Sequence, residues 1–342
     1  MKIAIVNDVA TVTEALRRAV ASSGHHEIIW TAANGREALE RCQRERPQLL
    51  LMDLIMPIMD GVEATRLIMA TCPCAILIVT ADVGYNASKV FEAMGEGALD
   101  AIDTPQLGLR QRDRGPGYLL SKIDSLERVI ADRCSTVAAK AASPLKPAPD
   151  FPLIAIGASA GGPAALATLL SGLPRNPGAA IAIVQHVDAQ FASGMAAWLE
   201  QHSGLSVRVA QEGEVLQANQ VYLAGSNDHL VLKSPHHLGY TSQPEEYVYR
   251  PSVDVFFQSI CQQWCGDVIG VLLTGMGCDG AQGLKLLRNL GFHTIAQDEQ
   301  SCAVYGMPKA AAKLGAAAEI LPLTQIAAHL IASLAVMTAK GH

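Results

Sequence analysis

Residues 153–170 read LIAIGASAGGPAALATLL, and this stretch decides the fold of the second half of the chain. Its first residues are uninterruptedly apolar. Glycine and other small residues follow, and then Leu166, Leu169 and Leu170 recur at helical spacing. A continuous apolar strand, a tight turn and a helix are the start of a βα unit in a parallel sheet covered on both faces. Ser159 stands at the corner. This stretch alone leaves three readings of it open: a nucleophile, a phosphate-loop residue or a helix cap.

The same rhythm extends in both directions. Downstream, the strand candidates are AIAIVQH (180–186), SVRVA (206–210), VYLAG (221–225), HLVLK (229–233), VIGVLLTG (268–275), HTIAQ (293–297) and EILPL (319–323). Helices are expected over 162–171, 190–201, 252–264, 280–290, 308–314 and 324–338. Between 206 and 250 the strands are short and no helix intervenes, which predicts a small antiparallel portion. Upstream, IAIVN (3–7), EIIWTA (27–32), LLLMD (49–53), AILIVT (75–80) and ALDAID (98–103) alternate with helical segments near 12–22, 35–45, 61–70, 86–95 and 118–131. The expectation is an α/β chain of two domains. Residues 1–131 form a flavodoxin-like, five-stranded parallel sheet, and residues 151–342 form a doubly wound α/β domain. Residues 132–150, with small residues, lysines and three prolines, read as an extended linker.

Composition narrows the function classes. Half of the 342 residues are apolar and 17% are charged, so each domain has material for a full core. A net charge of −6 provides no footprint for nucleic acid, and no basic helix-turn-helix pattern follows the linker. The eight cysteines are scattered. Cys72-Pro73-Cys74 lacks the spacer of a zinc or redox pair, and Cys261 and Cys265 have no second pair, so free thiols are expected. The opening MKIAIVND carries a charge inside its apolar run and reads as a first strand, not a signal peptide. No run approaches the roughly 18 apolar residues of a membrane span. A cytoplasmic monomer without membrane insertion is the expectation.

In open α/β sheets, ligands bind beyond the carboxyl ends of the strands. In the first domain those ends carry Asn7 and Asp8, Asp53, Thr80 and Thr104. Two carboxylates with hydroxyls beside them suit a hard cation such as Mg2+, and would make Asp53 a nucleophile toward a phosphoryl donor. Helix capping by Asp8 and Asp53 is the plainer reading.

In the second domain Gly157-Ala-Ser159-Ala-Gly161 fits the G-x-S-x-G pattern of a nucleophile elbow, and equally a capping serine ahead of Pro163. His186 ends a buried-type strand directly after this unit, whereas His229 and His293 begin strands. Asp279 sits at a third strand-to-helix corner, in VLLTGMGCDGAQGLKLL, as an acid to orient a histidine or as an N-cap. The backbone of Gly275-Met276-Gly277 is placed to offer an oxyanion donor.

These motifs resemble two known families. LLLMDLIMPIMDG, VT (79–80) and GALDAIDTP (97–105) are similar to the receiver domain of two-component response regulators. That resemblance implies phosphorylation of Asp53 by a histidine kinase, Mg2+ bound by Asp8, Asp53 and the Ile55 carbonyl, and Thr80 as the switch hydroxyl. Two positions depart from the pattern: Asn7 replaces a usual acid and Thr104 a usual lysine. IGASAGGP, VQH, RPSVDVFF, LLTGMGCDGAQGL and TIAQDEQSCAVYGMP resemble the catalytic domain of chemoreceptor protein-glutamate methylesterases, the CheB family. The resemblance implies Ser159 as nucleophile, His186 as base, Asp279 as orienting acid and the Met276 amide as oxyanion donor. It further implies methyl-accepting chemoreceptors as substrates, with hydrolysis of glutamate γ-methyl esters and deamidation of glutamines. Within the family the altered receiver is most similar to the methylesterase of the Wsp surface-sensing pathway. Two other functions remain in view: a generic α/β-hydrolase using His293, and a response regulator that acts by contact alone. Arg250 reads either as a contact for an acidic receptor helix or as an ion-pair residue beside a Ser252 cap.

Overall fold

A computed structural model describes residues 1–340 except 82, 84, 85, 106–115, 132–149, 246 and 248. The chain divides into two compact units, Met1–Asp132 and Arg133–His342, and most of the expected linker lies outside the described residues.

The first unit alternates β1 (Lys2–Val6), α1 (Ala10–Ala21), β2 (Glu27–Ala32), α2 (Gly35–Arg44), β3 (Leu49–Met52), α3 (Gly61–Thr71), β4 (Ala75–Thr80), α4 (Ala87–Gly95), β5 (Asp100–Asp103) and α5 (Pro116–Ala131). Its sheet is parallel in the order β2-β1-β3-β4-β5. β3 and β4 are buried along their whole length, because helices cover both faces and leave no position for a polar alternation. β5 is two residues shorter than expected: the Ala98 amide still donates back to Ala93 of α4, and Leu99 makes the first bond to β4 before the strand proper begins.

The second unit runs β6 (Leu153–Ala158), α6 (Gly162–Ser171), β7 (Ala180–Gln185), α7 (Ala189–Ser203), β8 (Val207–Val209), β9 (Val221–Leu223), β10 (His229–Ser234), β11 (His237–Thr241), α8 (Val253–Gln263), β12 (Val268–Leu272), α9 (Ala281–Asn289), β13 (His293–Gln297), α10 (Met307–Lys313), β14 (Glu319–Leu321) and α11 (Leu323–Lys340). Seven strands form one parallel sheet in the order β14-β13-β12-β6-β7-β9-β8. From β6 the chain winds outward through β7; from β12 it winds the other way through β13. The strand order therefore reverses between β6 and β12, the place where such sheets leave a crevice at their carboxyl ends.

The antiparallel portion is smaller than the sequence suggests. β8 and β9 belong to the parallel sheet, and only β10 and β11 pair antiparallel. β11, which sequence reading did not anticipate, is a hairpin partner whose HLGYT is too short to show a period. Among the described residues, Cys42, Cys72, Cys74, Cys261, Cys265 and Cys302 are free thiols, whereas Cys278 is disulfide-bonded, contrary to the expectation of free thiols. No helix among the described residues is long and apolar enough to cross a membrane.

Candidate active site and phosphoacceptor site

Ser159, His186 and Asp279 follow β6, β7 and β12, three adjacent strands, and reach the same rim. β6 and β7 pair in register through Ala158 and Gln185, so Ser159 and His186 are the next residues on neighbouring strands. The His186 amide donates to the Ala158 carbonyl at 3.0 Å.

Glycine makes the serine corner possible. A Cβ on Gly157 would overlap a γ-methyl of Val253, so only glycine lets the start of α8 pack on β6 here. Gly161 turns the chain at φ +78°, a left-handed conformation that favours glycine. Gly161 is also the N-cap of α6, and no side chain caps that helix. Ser159 is therefore not a helix cap. Its amide donates to the Thr274 carbonyl at 3.0 Å, which ties the serine turn to the end of β12.

Asp279 likewise does not cap its own helix, which begins from Gly280. Its carboxylate instead serves the N-terminus of α8. Oδ1 accepts from Ser252 Oγ (2.8 Å) and the Asp254 amide (3.0 Å), while Oδ2 accepts from the Val253 amide (2.7 Å) and His186 Nε2 (2.8 Å). Burial pushes this carboxyl up, but the His186 bond and the amides of Asp254 and Val253 outweigh it, holding it below the usual carboxylate range. Asp254 mirrors the arrangement: it stands in the first turn of α8, and its Oδ1 accepts from the Gly283 amide of α9 at 2.7 Å. Each helix start thus has backbone amides met by a carboxyl group from the neighbouring segment. Burial, followed by the Asp279 charge, holds the Asp254 carboxyl well above its ordinary range.

An ionised Asp279 can only accept, so Nε2 donates to Oδ2, and in the neutral imidazole Nδ1 then carries the lone pair. Nδ1 is buried and has no hydrogen-bond partner among the described residues. The Asp–His bond is therefore formed, whereas no Ser159–His186 hydrogen bond is made in this state. Such catalytic bonds commonly tighten only with substrate bound.

Two supporting residues escape sequence reading, and a third, His229, is read there only as a histidine that begins a strand. Gln185 is fully buried, and its Nε2 donates to the carbonyls of Ser159 (2.9 Å) and His186 (3.1 Å), locking the two turns together. Tyr249 stacks on the His186 ring at 3.9 Å between centroids and 12° between planes, and its hydroxyl donates to the Met276 carbonyl at 3.2 Å. His229 accepts from the Ser252 amide through Nδ1 (3.1 Å) and donates from Nε2 to the Pro244 carbonyl (3.1 Å), bracing the start of α8. A glutamine at a strand end and a tyrosine in a loop carry no pattern that would have singled them out.

Met276 lies on the turn between β12 and Asp279, half-buried, and its amide donates to no other described residue. Ser252 is the N-cap of α8, and Arg250 makes no ion pair with a described residue. His293 lies at the opposite rim, at the start of β13.

In the first unit, Asp53 directly follows β3, and Asp8 lies just past the end of the neighbouring β1. Asp53 Oδ1 accepts from the amides of Leu54 (2.7 Å) and Ile55 (3.4 Å). Its Oδ2 accepts from Asn7 Nδ2 at 2.9 Å, so Asn7 donates where an acid would ligate. Burial, with the charge of Asp8 adding to it, raises the Asp53 carboxyl above its ordinary value against the pull of the two amides. Thr80, at the end of β4, is buried, and its hydroxyl accepts from Asn86 Nδ2 at 3.2 Å. The Thr104 amide donates to the Thr80 carbonyl at 2.8 Å.

Comparison with known proteins places each of the two units in a family. The response regulator receiver domain family matches residues 3–107, and the CheB methylesterase family matches residues 154–330. Protein-glutamate methylesterase/protein-glutamine glutaminase 1 of Pseudomonas fluorescens is 57% identical over 332 residues, 97% of this chain and 98% of that one. The enzyme of the same name from the group 3 operon of Pseudomonas putida is 56% identical over 331 residues, 96% of this chain and 98% of that one. The crystal structure of the Thermotoga maritima CheB methylesterase catalytic domain aligns with 54% of this chain and 99% of its own, at 33% identity and a TM-score of 0.52. With both family models and full-length relatives in agreement, the chain belongs to the CheB methylesterase family, in the arrangement that places a receiver domain ahead of the esterase domain.

Proposed function

We propose that this chain is a serine hydrolase that cleaves γ-methyl esters of glutamate on methyl-accepting chemoreceptor-type proteins. The observation that carries this reading is the buried Asp279–His186 bond, which leaves a lone pair on Nδ1 beside the Ser159 turn. Ser159 Oγ attacks the ester carbonyl while His186 Nδ1 takes its proton, and Asp279 stabilises the resulting imidazolium. The Met276 amide donates to the developing oxyanion. Collapse transfers the proton from Nδ1 to the departing methanol and leaves an acyl-serine. Water, activated by the same nitrogen, releases the glutamate. A glutamine amide enters the same sequence with ammonia as the leaving group, the second activity in the relatives' names.

The receiver regulates this activity through phosphorylation of Asp53 by a histidine kinase. Asp8, Asp53 and the Ile55 carbonyl would hold Mg2+, which supplies charge neutralisation for the incoming phosphoryl group. The fit is supported by geometry: Asp53 and Asp8 stand just past the ends of the neighbouring strands β3 and β1, and the Asp8 charge adds to burial in raising the Asp53 carboxyl, a repulsion that a divalent cation would relieve. Asn7 leaves the site one carboxylate poorer than usual. Thr80 is the switch hydroxyl in this reading, and the altered receiver supports a Wsp-like surface-sensing pathway. Methanol release from methylated receptor membranes tests the proposal: wild type releases methanol and Ser159→Ala does not. Equal release by both would remove Ser159 from the mechanism.

A further inference from the structure

One cluster of ligand-type side chains has no part in this chemistry. His293 at the start of β13, Glu319 at the start of β14 and His329 in α11 meet at the rim opposite the one bearing Ser159. β13 and β14 pair in parallel, Ile295 opposite Glu319, which brings the first two to one edge of the sheet. His293 Nε2 and His329 Nε2 are 3.0 Å apart. Glu319 Oε1 lies 3.1 Å from His329 Nε2 and 3.6 Å from His293 Nε2. The three side chains are 23%, 37% and 29% exposed in the order His293, Glu319, His329.

Three lone-pair atoms facing one point are poorly arranged to satisfy each other. Between two neutral imidazole nitrogens only one hydrogen can sit, and an ionised carboxylate brings none. A tetrahedral cation with bonds of about 2.05 Å has ligand–ligand edges of about 3.3 Å, and the three observed separations bracket that value. We propose that His293, Glu319 and His329 bind a divalent transition-metal cation of the Zn2+ type, with water in the fourth position. Two imidazoles and one carboxylate select Zn2+ and its neighbours over Mg2+ or Ca2+, which prefer all-oxygen sites. Partial exposure gives the ion an entry path and room for its water. The ion would clamp α11 to the edge strand β14 and its neighbour β13, away from the catalytic rim.

A second cluster, His25, His26, Asp124 and Glu127, is the weaker candidate. The N-terminal ammonium already sits there, 3.2 Å from His26 Nδ1 and 3.5 Å from Glu127 Oε1. A positive group in place competes with a cation.

The test uses the full-length protein, stripped with chelator and dialysed against Zn2+, with metal content read by mass spectrometry. Wild type should hold one equivalent more than His329→Ala or Glu319→Gln. Zn2+ at a hundredfold excess over its dissociation constant should raise the wild-type unfolding midpoint by about 5 °C or more, a shift both variants lose. Co2+ should give the visible absorption of a tetrahedral site in wild type alone. Equal metal content, or an identical Co2+ spectrum in wild type and Glu319→Gln, overturns the assignment. Glu319→Gln is nearly isosteric, so it decides the matter even if His329→Ala fails to fold.

Discussion

Replacing Asp279 by alanine and by asparagine should have very different consequences, and the hydrogen bonds say why. Alanine removes all four acceptor contacts of the carboxylate. His186 loses the partner that holds its proton on Nε2, and the imidazolium loses its counter-charge. Removing the orienting acid of another serine hydrolase costs about 10⁴ in kcat, or about 5.4 kcal/mol at 1.36 kcal/mol per decade; an asparagine costs as much where it imposes the wrong histidine tautomer. The amides of Val253 and Asp254 are also orphaned at the start of a buried helix, at about 1–3 kcal/mol each. Asparagine can be placed with its oxygen in the position of Oδ2, keeping the bonds from His186 and Val253. Its NH2 then donates to Ser252 Oγ, and only the Asp254 amide is left facing a donor. The tautomer survives and the charge does not, so the loss should be about tenfold to hundredfold, the difference between a charged and a neutral acceptor. Steady-state methanol release gives kcat, and urea unfolding gives stability. Because the Asp279 carboxyl is held below its unfolded value, its stabilising contribution is complete above about pH 4 and fades as pH falls through the folded value. The stability gap between wild type and alanine should close at that acid end. Equal loss of kcat in the two variants, or an alanine variant within tenfold of wild type, would refute the assignment of Nδ1 as the base held by Asp279.

Asp254→Asn should be tolerated, since the fold already favours the neutral acid. A folded pKa raised above the unfolded value means that wild type loses stability as pH rises from about 4 toward the folded value. The advantage of the asparagine variant in urea should therefore be larger at pH 8 than at pH 5, and curves that stay parallel would contradict this. Tyr249→Phe keeps the stack on His186 and loses one hydrogen bond, whereas Tyr249→Ala loses both. At about 0.5–1.5 kcal/mol for an aromatic pair, kcat should fall further for alanine by about two- to tenfold, and equal values would mean that the stack does not position the ring. Asp53→Asn should abolish Mg2+-dependent labelling by a small phosphodonor. In wild type the labelling should decline as acid protonates Asp53, because a protonated carboxyl neither ligates nor attacks. Labelling that persists in the variant would put the phosphoryl group elsewhere.

Much of this protein was decided by sequence alone. Fully apolar runs such as LLLM and LIAIGA, alternating with helical segments, read as parallel strands under helices, and the first polar residues after each run mark where side chains emerge. Local pattern therefore placed Ser159, His186, Asp279 and Asp53 at strand ends. Strand order was not local. That β12 lies against β6, bringing Asp279 to the histidine, follows from how the helices cover the sheet. The same holds for β8 and β9, whose short runs read equally well as antiparallel. Capping stays open in the sequence for a related reason: an acid before a helix reads equally as its own cap. Only the packing of α8 against α9 revealed that Asp279 and Asp254 each serve the other's helix. Gln185, Tyr249 and His229 became visible only through what they touch. Periodicity reports which way a side chain points along its own element, and these three act across elements, where tertiary contact alone sets the partner.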